Sequence, residues 1–376
     1  MRIVFLLGFH PNQRMNKRIR LLMKQNDVSV IYWQKNRDKG AYGTDIATDK
    51  CSCIDIHFNE RSLNERFLAF RKFKRVVKEK LDKLQPDCIY VQNLDLFLFA
   101  EQYKRKKKNS IKLVYEVSDI NDILIQPQRS IVKKTIQFYL RRKEKRACKN
   151  LDLFCYTSPA FCSERYGELI SEERRMYLPN IPDLSYFDSY QPQDVNEFTV
   201  GYVGTIRYEE KIRVMLEAAK IAGVKALVAG GVASGGSRGL RVDVDGLKKD
   251  YPETEFIGAF DYTRDIAGIY SKINVSFAVY NADLKNVRIA LPNKLYEAIK
   301  CEIPIIVAPD TYLAETVVSL GVGVALETTE EIAEFLRKLK SDAVFYKSFK
   351  RACKNNSAFI DARETNENLC AWFLNN

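Results

Sequence analysis

Apolar residues along the 376-residue chain recur in two alternating patterns. Short runs rich in β-branched and aromatic side chains, at 3–7, 28–33, 88–91, 113–117 and 153–156, read as buried strands. Between them the spacing of Phe67, Phe70, Val77, Leu81 and Leu84, and of Ile131, Ile136, Tyr139 and Leu140, predicts amphipathic helices. This alternation predicts a parallel sheet covered by helices. At 178–198 the periodicity lapses into a proline-bearing stretch that reads as an inter-domain linker. The pattern then resumes, with strands at 198–203, 225–229, 255–257, 275–280, 303–307 and 322–326. Helices fall at 209–222, 261–272 and 311–320, and another is opened by Asn293. Two doubly wound α/β domains in tandem are the economical reading, and the length suits two cores better than one.

Composition is that of a globular chain, 46% apolar and 29% charged, with no low-complexity tract. No apolar run approaches the ~18 residues of a membrane-spanning helix. The first run passes straight into His10-Pro11-Asn12-Gln13-Arg14, which reads as a strand and its loop and not as a signal peptide. A cytoplasmic protein is expected. Nine cysteines lie mostly inside apolar segments and suit reduced core thiols. Cys51 and Cys53 are the one close pair, and with only His10 and His57 beside them no zinc site is expected.

Charge is unevenly placed. Residues 1–150 hold 34 Lys and Arg against 16 Asp and Glu, and the remainder 26 against 32. The basic runs 71–80, 104–108 and 133–146 mix Phe, Tyr and Ile with Lys and Arg, a composition that suits an anionic lipid surface. Lys133, Lys134, Arg141 and Arg142 are the candidates for an acceptor or membrane face. Solvated helix faces are the alternative reading of the same residues. Nucleic acid is not expected, since no recognisable nucleic-acid motif is present.

Ligands of open parallel sheets bind beyond the carboxyl ends of the strands. Three loops of the second half carry unusual residues there: 201–211 (GYVGTIRYEEK), 228–239 (VAGGVASGGSRG) and 290–297 (ALPNKLYE). Gly204 permits close backbone approach, and Thr205 follows it. Arg207 and Lys211 place a fork and a point charge near a helix start, a combination suited to a diphosphate. On this loop alone, two solvated cations beside Glu209 and Glu210 remain an equal reading. The glycine pairs 230–231 and 235–236 lack the spacing of a dinucleotide loop. Asn293, Lys294 and Leu295 open a helix whose first N–H groups and amine can hold phosphate. Glu297 can accept from vicinal hydroxyls such as those of a ribose, or can simply complement the helix dipole.

At these residues the chain resembles glycosyltransferase family 4, of GT-B fold. GYVGTIRYEEK is similar to its phosphate-binding segment and NKLYEAIKCEIPIIVAP to its ribose-binding one. The stretches 113–120, 151–161 and 177–183 resemble its acceptor domain, and 256–280 its donor domain. The resemblance implies two Rossmann-like domains facing a cleft: an acceptor domain at 1–185, a linker at 186–197, a donor domain at 198–345, and a segment at 346–376 crossing back. It implies Arg207 and Lys211 on the leaving diphosphate, the backbone at Asn293–Leu295 on the phosphates and Glu297 on the ribose. It further implies a retaining transfer from a nucleotide sugar to a glycan or polyprenyl-linked acceptor, without metal or other cofactor. The setting implied is bacterial surface-polysaccharide synthesis, at the inner face of the cytoplasmic membrane. Two positions depart from the pattern: the first Glu of the family motif is Ile289, and the acceptor-domain His is Ser118, followed by Asp119, the candidate for positioning sugar or acceptor. A nucleotide-sugar-binding protein without turnover, or a nucleotide-sugar epimerase, are the alternatives.

Overall fold

The computed structural model describes residues 1–375 apart from 36–45, 47, 60–61, 108–109, 193–196 and 233–241. Contacts divide the chain into two units, Met1–Asn180 with Ala362–Asn376, and Ile181–Asp361. In the first, β1 (Arg2–Leu7), α1 (Gln13–Met23), β2 (Asp27–Gln34), β3 (Cys51–Asp55), α2 (Leu63–Leu84), β4 (Cys88–Val91) and α3 (Leu94–Lys106) lead to β5 (Lys112–Val117). Then follow α4 (Asp122–Ile125), α5 (Ile131–Cys148), β6 (Leu153–Tyr156), α6 (Ala160–Glu164) and β7 (Arg175–Tyr177). The second unit runs β8 (Thr199–Val203), α7 (Glu209–Ala222), β9 (Lys225–Ala229), α8 (Val244–Asp250), β10 (Glu255–Gly258), α9 (Tyr262–Tyr270) and β11 (Val275–Ala278). It continues through α10 (Lys285–Ile289), α11 (Asn293–Lys300), β12 (Ile305–Val307), α12 (Tyr312–Leu320), β13 (Gly323–Ala325), α13 (Thr329–Ser341) and α14 (Ala343–Asn355). The last helix, α15 (Arg363–Asn375), returns to the first unit.

Each unit is built on one sheet with parallel pairing throughout, ordered β3-β2-β1-β4-β5-β6-β7 and β10-β9-β8-β11-β12-β13. Both are doubly wound, and both reverse strand order beside their first strand, at β1/β4 and at β8/β11. Loops leave such a pair in opposite directions and open a crevice at the carboxyl ends. The period-two alternation of the strands sorts side chains onto two faces. In the second unit Val200, Tyr202, Phe277 and Ile306 enter one core layer, and Val203, Ala278, Ile305 and Val307 the other. Gly201 belongs to the second face, where Ile273 leaves no room: a Cβ on it would stand 2.4 Å from Ile273 Cγ2. Helix starts follow the same local rules. Thr328 and Glu331 form a reciprocal capping box at α13, and Asn12 accepts from the Met15 N–H at α1.

The hand-over between units differs from the expected boundaries at both ends. Ile181 already belongs to the second unit, and Phe187 is buried in its core among Tyr270 and Leu295. The return begins at Ala362 and not at 346, because Tyr346, Phe349 and Cys353 of α14 are buried in the second unit. Only α15 crosses back, with Leu369 and Phe373 buried against the first sheet.

Two predicted apolar stripes are not buried as their spacing suggests. Phe67 is 61% exposed although Val77 and Leu81 of the same helix are fully covered, and Ile131 is 81% exposed. All nine cysteines are free, five of them buried. Among the described residues no helix is long and apolar enough to cross a membrane.

Candidate functional site

At the β8/β11 reversal the backbone of three loops is stitched together. Gly204 N–H donates to Ala229 O at 2.8 Å, Ile206 N–H to Gly231 O at 3.0 Å and Gly230 N–H to Gly258 O at 2.7 Å. Gly204 and Gly230 have φ of +135° and +151°, conformations closed to ordinary side chains. They also touch: a Cβ on Gly230 would fall 1.8 Å from Gly204 O. The glycine loop, whose spacing is not that of a dinucleotide loop, therefore has a packing reason at position 230, while the pair 235–236 lies outside the described residues.

Onto this floor comes Lys294. A Cβ at Gly204 would lie 3.1 Å from Lys294 Cε and 3.2 Å from its Nζ, so glycine is what lets the amine settle there. The Lys294 side chain stays 14% exposed, and the first N–H groups of α11, at Asn293 and Lys294, are those a helix leaves unbonded. Leu295 differs from its two neighbours: its side chain is core and its N–H already donates to Pro292 O. The Asn293 Oδ1 is buried without a hydrogen-bond partner among the described residues.

Arg207 is exposed, with no carboxylate in ion-pair range among the described residues, and Thr205 beside it is exposed as well. The Thr205 carbonyl accepts from Tyr202 Oη at 2.7 Å, which pins the loop. Burial pushes the Tyr202 hydroxyl up to about 12, and the Arg207 charge acts against that shift. Arg207 has the same opposing effect at Tyr280, just past β11, where burial again dominates and the Glu297 charge adds to it. Tyr280 thus feels both the Arg207 charge and the Glu297 charge, and Glu297 bonds Lys294.

Two of the expected residues are engaged otherwise. Glu297, expected to face a pair of ligand hydroxyls, is fully buried. Its Oε1 accepts from Tyr262 Oη at 2.7 Å, and its Oε2 from Tyr270 Oη at 2.6 Å and Lys294 Nζ at 3.1 Å. The carboxylate is spoken for by protein groups, and in this arrangement it orients Lys294. Lys211 is paired with Glu327, in the loop after β13, at 3.0 Å. Glu327 is 58% exposed, so the pair contributes little to stability. Glu327→Gln is expected to leave the melting temperature unchanged and to tighten binding of inorganic pyrophosphate a few-fold at low salt, measured by calorimetric titration. Unaltered or weaker binding would mean that Lys211 does not serve an anion here.

Tyr262, Tyr270 and Glu327 escaped the sequence reading. The two tyrosines bracket α9 and look like ordinary core aromatics, and only their convergence on Glu297 gives them a role. In the first unit Asp119 is exposed at the carboxyl end of β5. Lys133, Lys134 and Arg142 are exposed on α5, whereas Arg141 is tied down: its Nε donates to Leu124 O at 2.8 Å. Among the described residues no group of three His, Cys, Asp or Glu could hold a metal ion.

Two doubly wound parallel sheets in one chain are the GT-B fold, which solved glycosyltransferase structures share. The structure of sucrose-phosphate synthase from Thermosynechococcus elongatus superposes with a TM-score of 0.71 at 15% identity, covering 100% of this chain and 98% of that one. HepE of Anabaena in complex with UDP gives 0.69 at 14%, with both chains fully covered. UDP-GlcNAc 2-epimerase from Neisseria meningitidis bound to UDP-GlcNAc gives 0.64 at 13%, again with full coverage of both. In sequence, the succinoglycan biosynthesis protein ExoL of Rhizobium meliloti is 23% identical over 224 residues, 57% of this chain. The match spans 53% of ExoL, about half the length of that curated relative. No protein-family profile matches the chain.

Proposed function

We propose that the protein is a retaining glycosyltransferase of surface-polysaccharide synthesis, moving a sugar from a nucleotide-sugar donor to a polyprenyl-linked glycan. The observation that carries this reading is Arg207, without a carboxylate partner among the described residues, at the same strand reversal where Lys294 rests on Gly204. Two cations and a helix start at one sheet edge suit a pyrophosphate. In the transfer, the bond between the anomeric carbon and the diphosphate oxygen breaks. An acceptor hydroxyl bonds to that carbon from the same face and gives its proton to the departing diphosphate oxygen. The negative charge gathering on the departing diphosphate is met by Arg207, Lys294 and the α11 N–H groups, so no metal is needed for that task. The UDP in HepE and the polysaccharide role in the name of ExoL favour the same reading.

Thermal unfolding in the presence of UDP, GDP, ADP and CMP tests the donor half, since a ligand of the folded state raises the midpoint by mass action. One nucleotide is expected to stabilise the protein and Arg207→Ala to abolish the shift. The matching sugar nucleotide should then release diphosphate only when a lipid-linked acceptor is added. Absence of any shift would remove the nucleotide reading, and conversion without acceptor would point to an epimerase instead.

A further inference from the structure

Helix α5 is amphipathic in the reverse sense for a helix packed on a domain. Apart from Ala147 and Cys148, buried at its C-terminal end, the residues that hold it are polar. Gln137 Nε2 donates to Ile123 O at 2.7 Å and to Gln126 O at 2.9 Å, and Arg141 clasps Leu124 O. Glu144, fully buried, accepts from Arg165 Nε at 2.8 Å and from Tyr166 Oη at 3.0 Å. Positions 137, 141 and 144 share one face of a 3.6-residue helix. The other side carries the apolar residues: Ile131 is 81%, Val132 67%, Phe138 68% and Tyr139 55% exposed, with Ile136 at 44% on its flank. Five of the fourteen large apolar side chains exposed among the described residues thus fall within nine consecutive positions, too close together for scattered surface apolars.

Charge completes the pattern. The helix holds seven cations, Lys133, Lys134, Arg141, Arg142, Lys143, Lys145 and Arg146. Its single acid is the buried Glu144, already matched by Arg165, so no carboxylate of α5 reaches solvent. The outer side runs from apolar at Ile131–Tyr139 to basic at Arg142–Arg146, and Lys143 sits 4.4 Å over the Tyr139 ring. An apolar patch alone would suit a second protein chain. An apolar patch whose own helix exposes cations and no carboxylate suits the boundary of acyl chain and anionic headgroup, where rings and aliphatics enter and lysines stay at the phosphates.

We infer that α5 is a docking helix for an anionic lipid bilayer, seated by Ile131, Val132, Phe138 and Tyr139 and held by Lys134, Arg142 and their basic neighbours. Arg141 takes no part, because its guanidinium is committed to Leu124 O. The inference does not depend on sugar transfer, and its test needs no donor.

Full-length protein is sedimented with large unilamellar vesicles of phosphatidylcholine alone or mixed with phosphatidylglycerol. Binding is expected to the mixed vesicles and not to phosphatidylcholine alone. Lys134→Glu with Arg142→Glu should weaken it about 30-fold or more, from the usual contribution of a basic residue near an anionic surface. Val132→Ser with Phe138→Ser should weaken it roughly tenfold or more, since apolar area then stays in water. Both pairs should melt as the wild type does, because the side chains replaced are exposed. Failure of the wild type to sediment with the mixed vesicles would overturn the inference. So would indifference to the serine pair, which would leave a charge attraction open to any polyanion. A dimer in sedimentation velocity that the serine pair converts to monomer would assign the face to a second copy.

Discussion

Lys294→Ala is expected to lower turnover by about 10²–10³-fold, the loss typical of removing one preorganised donor from a site where negative charge develops. The amine is placed by two independent constraints, close packing on Gly204 and the 3.1 Å bond to Glu297. Glu297 in turn is fixed by Tyr262 and Tyr270, so it cannot turn to a ligand without leaving two tyrosine hydroxyls, that of Tyr270 buried, without their partner. This arrangement predicts how Glu297→Gln behaves. The amide oxygen can still accept from a tyrosine, but the charge that steadies Lys294 is lost, and turnover should fall about tenfold on the scale of one charge-assisted bond. The double variant separates the two roles open to Glu297. If it acts by orienting Lys294, then Lys294→Ala with Glu297→Gln is no slower than Lys294→Ala alone, the signature of two residues in one unit. If it holds the ribose directly, the two losses multiply and the affinity for nucleoside diphosphate falls with Glu297→Gln even when Lys294 is already gone. Diphosphate release and calorimetric titration on the four proteins decide between them.

Strand patterning was legible in every interior strand and in the edge strands β10 and β13, and it was lost at the two edges of the first sheet. All eleven strands expected from apolar runs are present. The two that escaped, β3 and β7, are edge strands in which Ile54 alone is buried, so their sequences carry polar side chains and little periodicity. Helix direction was harder. Spacing marks a stripe but does not say which way it faces, and α5 turns Ile131 and Tyr139 outward because Gln137, Arg141 and Glu144 supply the contacts that hold it. In the candidate site the residue types were readable and their partners were not. Arg207 and Lys294 could be named from local sequence, since a cation beside a glycine or at a helix start has a local reason to be there. The burial of Glu297 depends on α9, some thirty residues away, and the pairing of Lys211 depends on Glu327. Neither distance leaves a trace in a window of a dozen residues.

The largest effect on stability is expected from Glu116→Ala, and it concerns the first unit alone. Glu116 lies on β5, an interior strand of the sheet, fully buried, with Arg14 Nε at 3.2 Å and Arg18 Nε at 3.6 Å, and it accepts from Tyr90 Oη. Arg18 also donates to Asn366 Oδ1 at 3.3 Å and Leu178 O at 3.4 Å, which joins α1 to the returning α15. Removing the carboxylate leaves two guanidinium groups, one of them almost wholly buried, without their anion. Losses of about 3–5 kcal/mol are typical of such an uncompensated charge. In chemical denaturation the midpoint should fall accordingly, and α15 should become the first segment open to proteolysis, since Arg18 is a polar tie to it. The size of that loss measures the stranded cations and not the worth of the ion pair. Glu116→Leu combined with Arg14→Met and Arg18→Met should therefore recover most of the stability, because neither charge nor carboxylate then needs solvation. A triple variant as unstable as Glu116→Ala would mean that the cluster contributes shape and hydrogen bonds that apolar packing cannot replace.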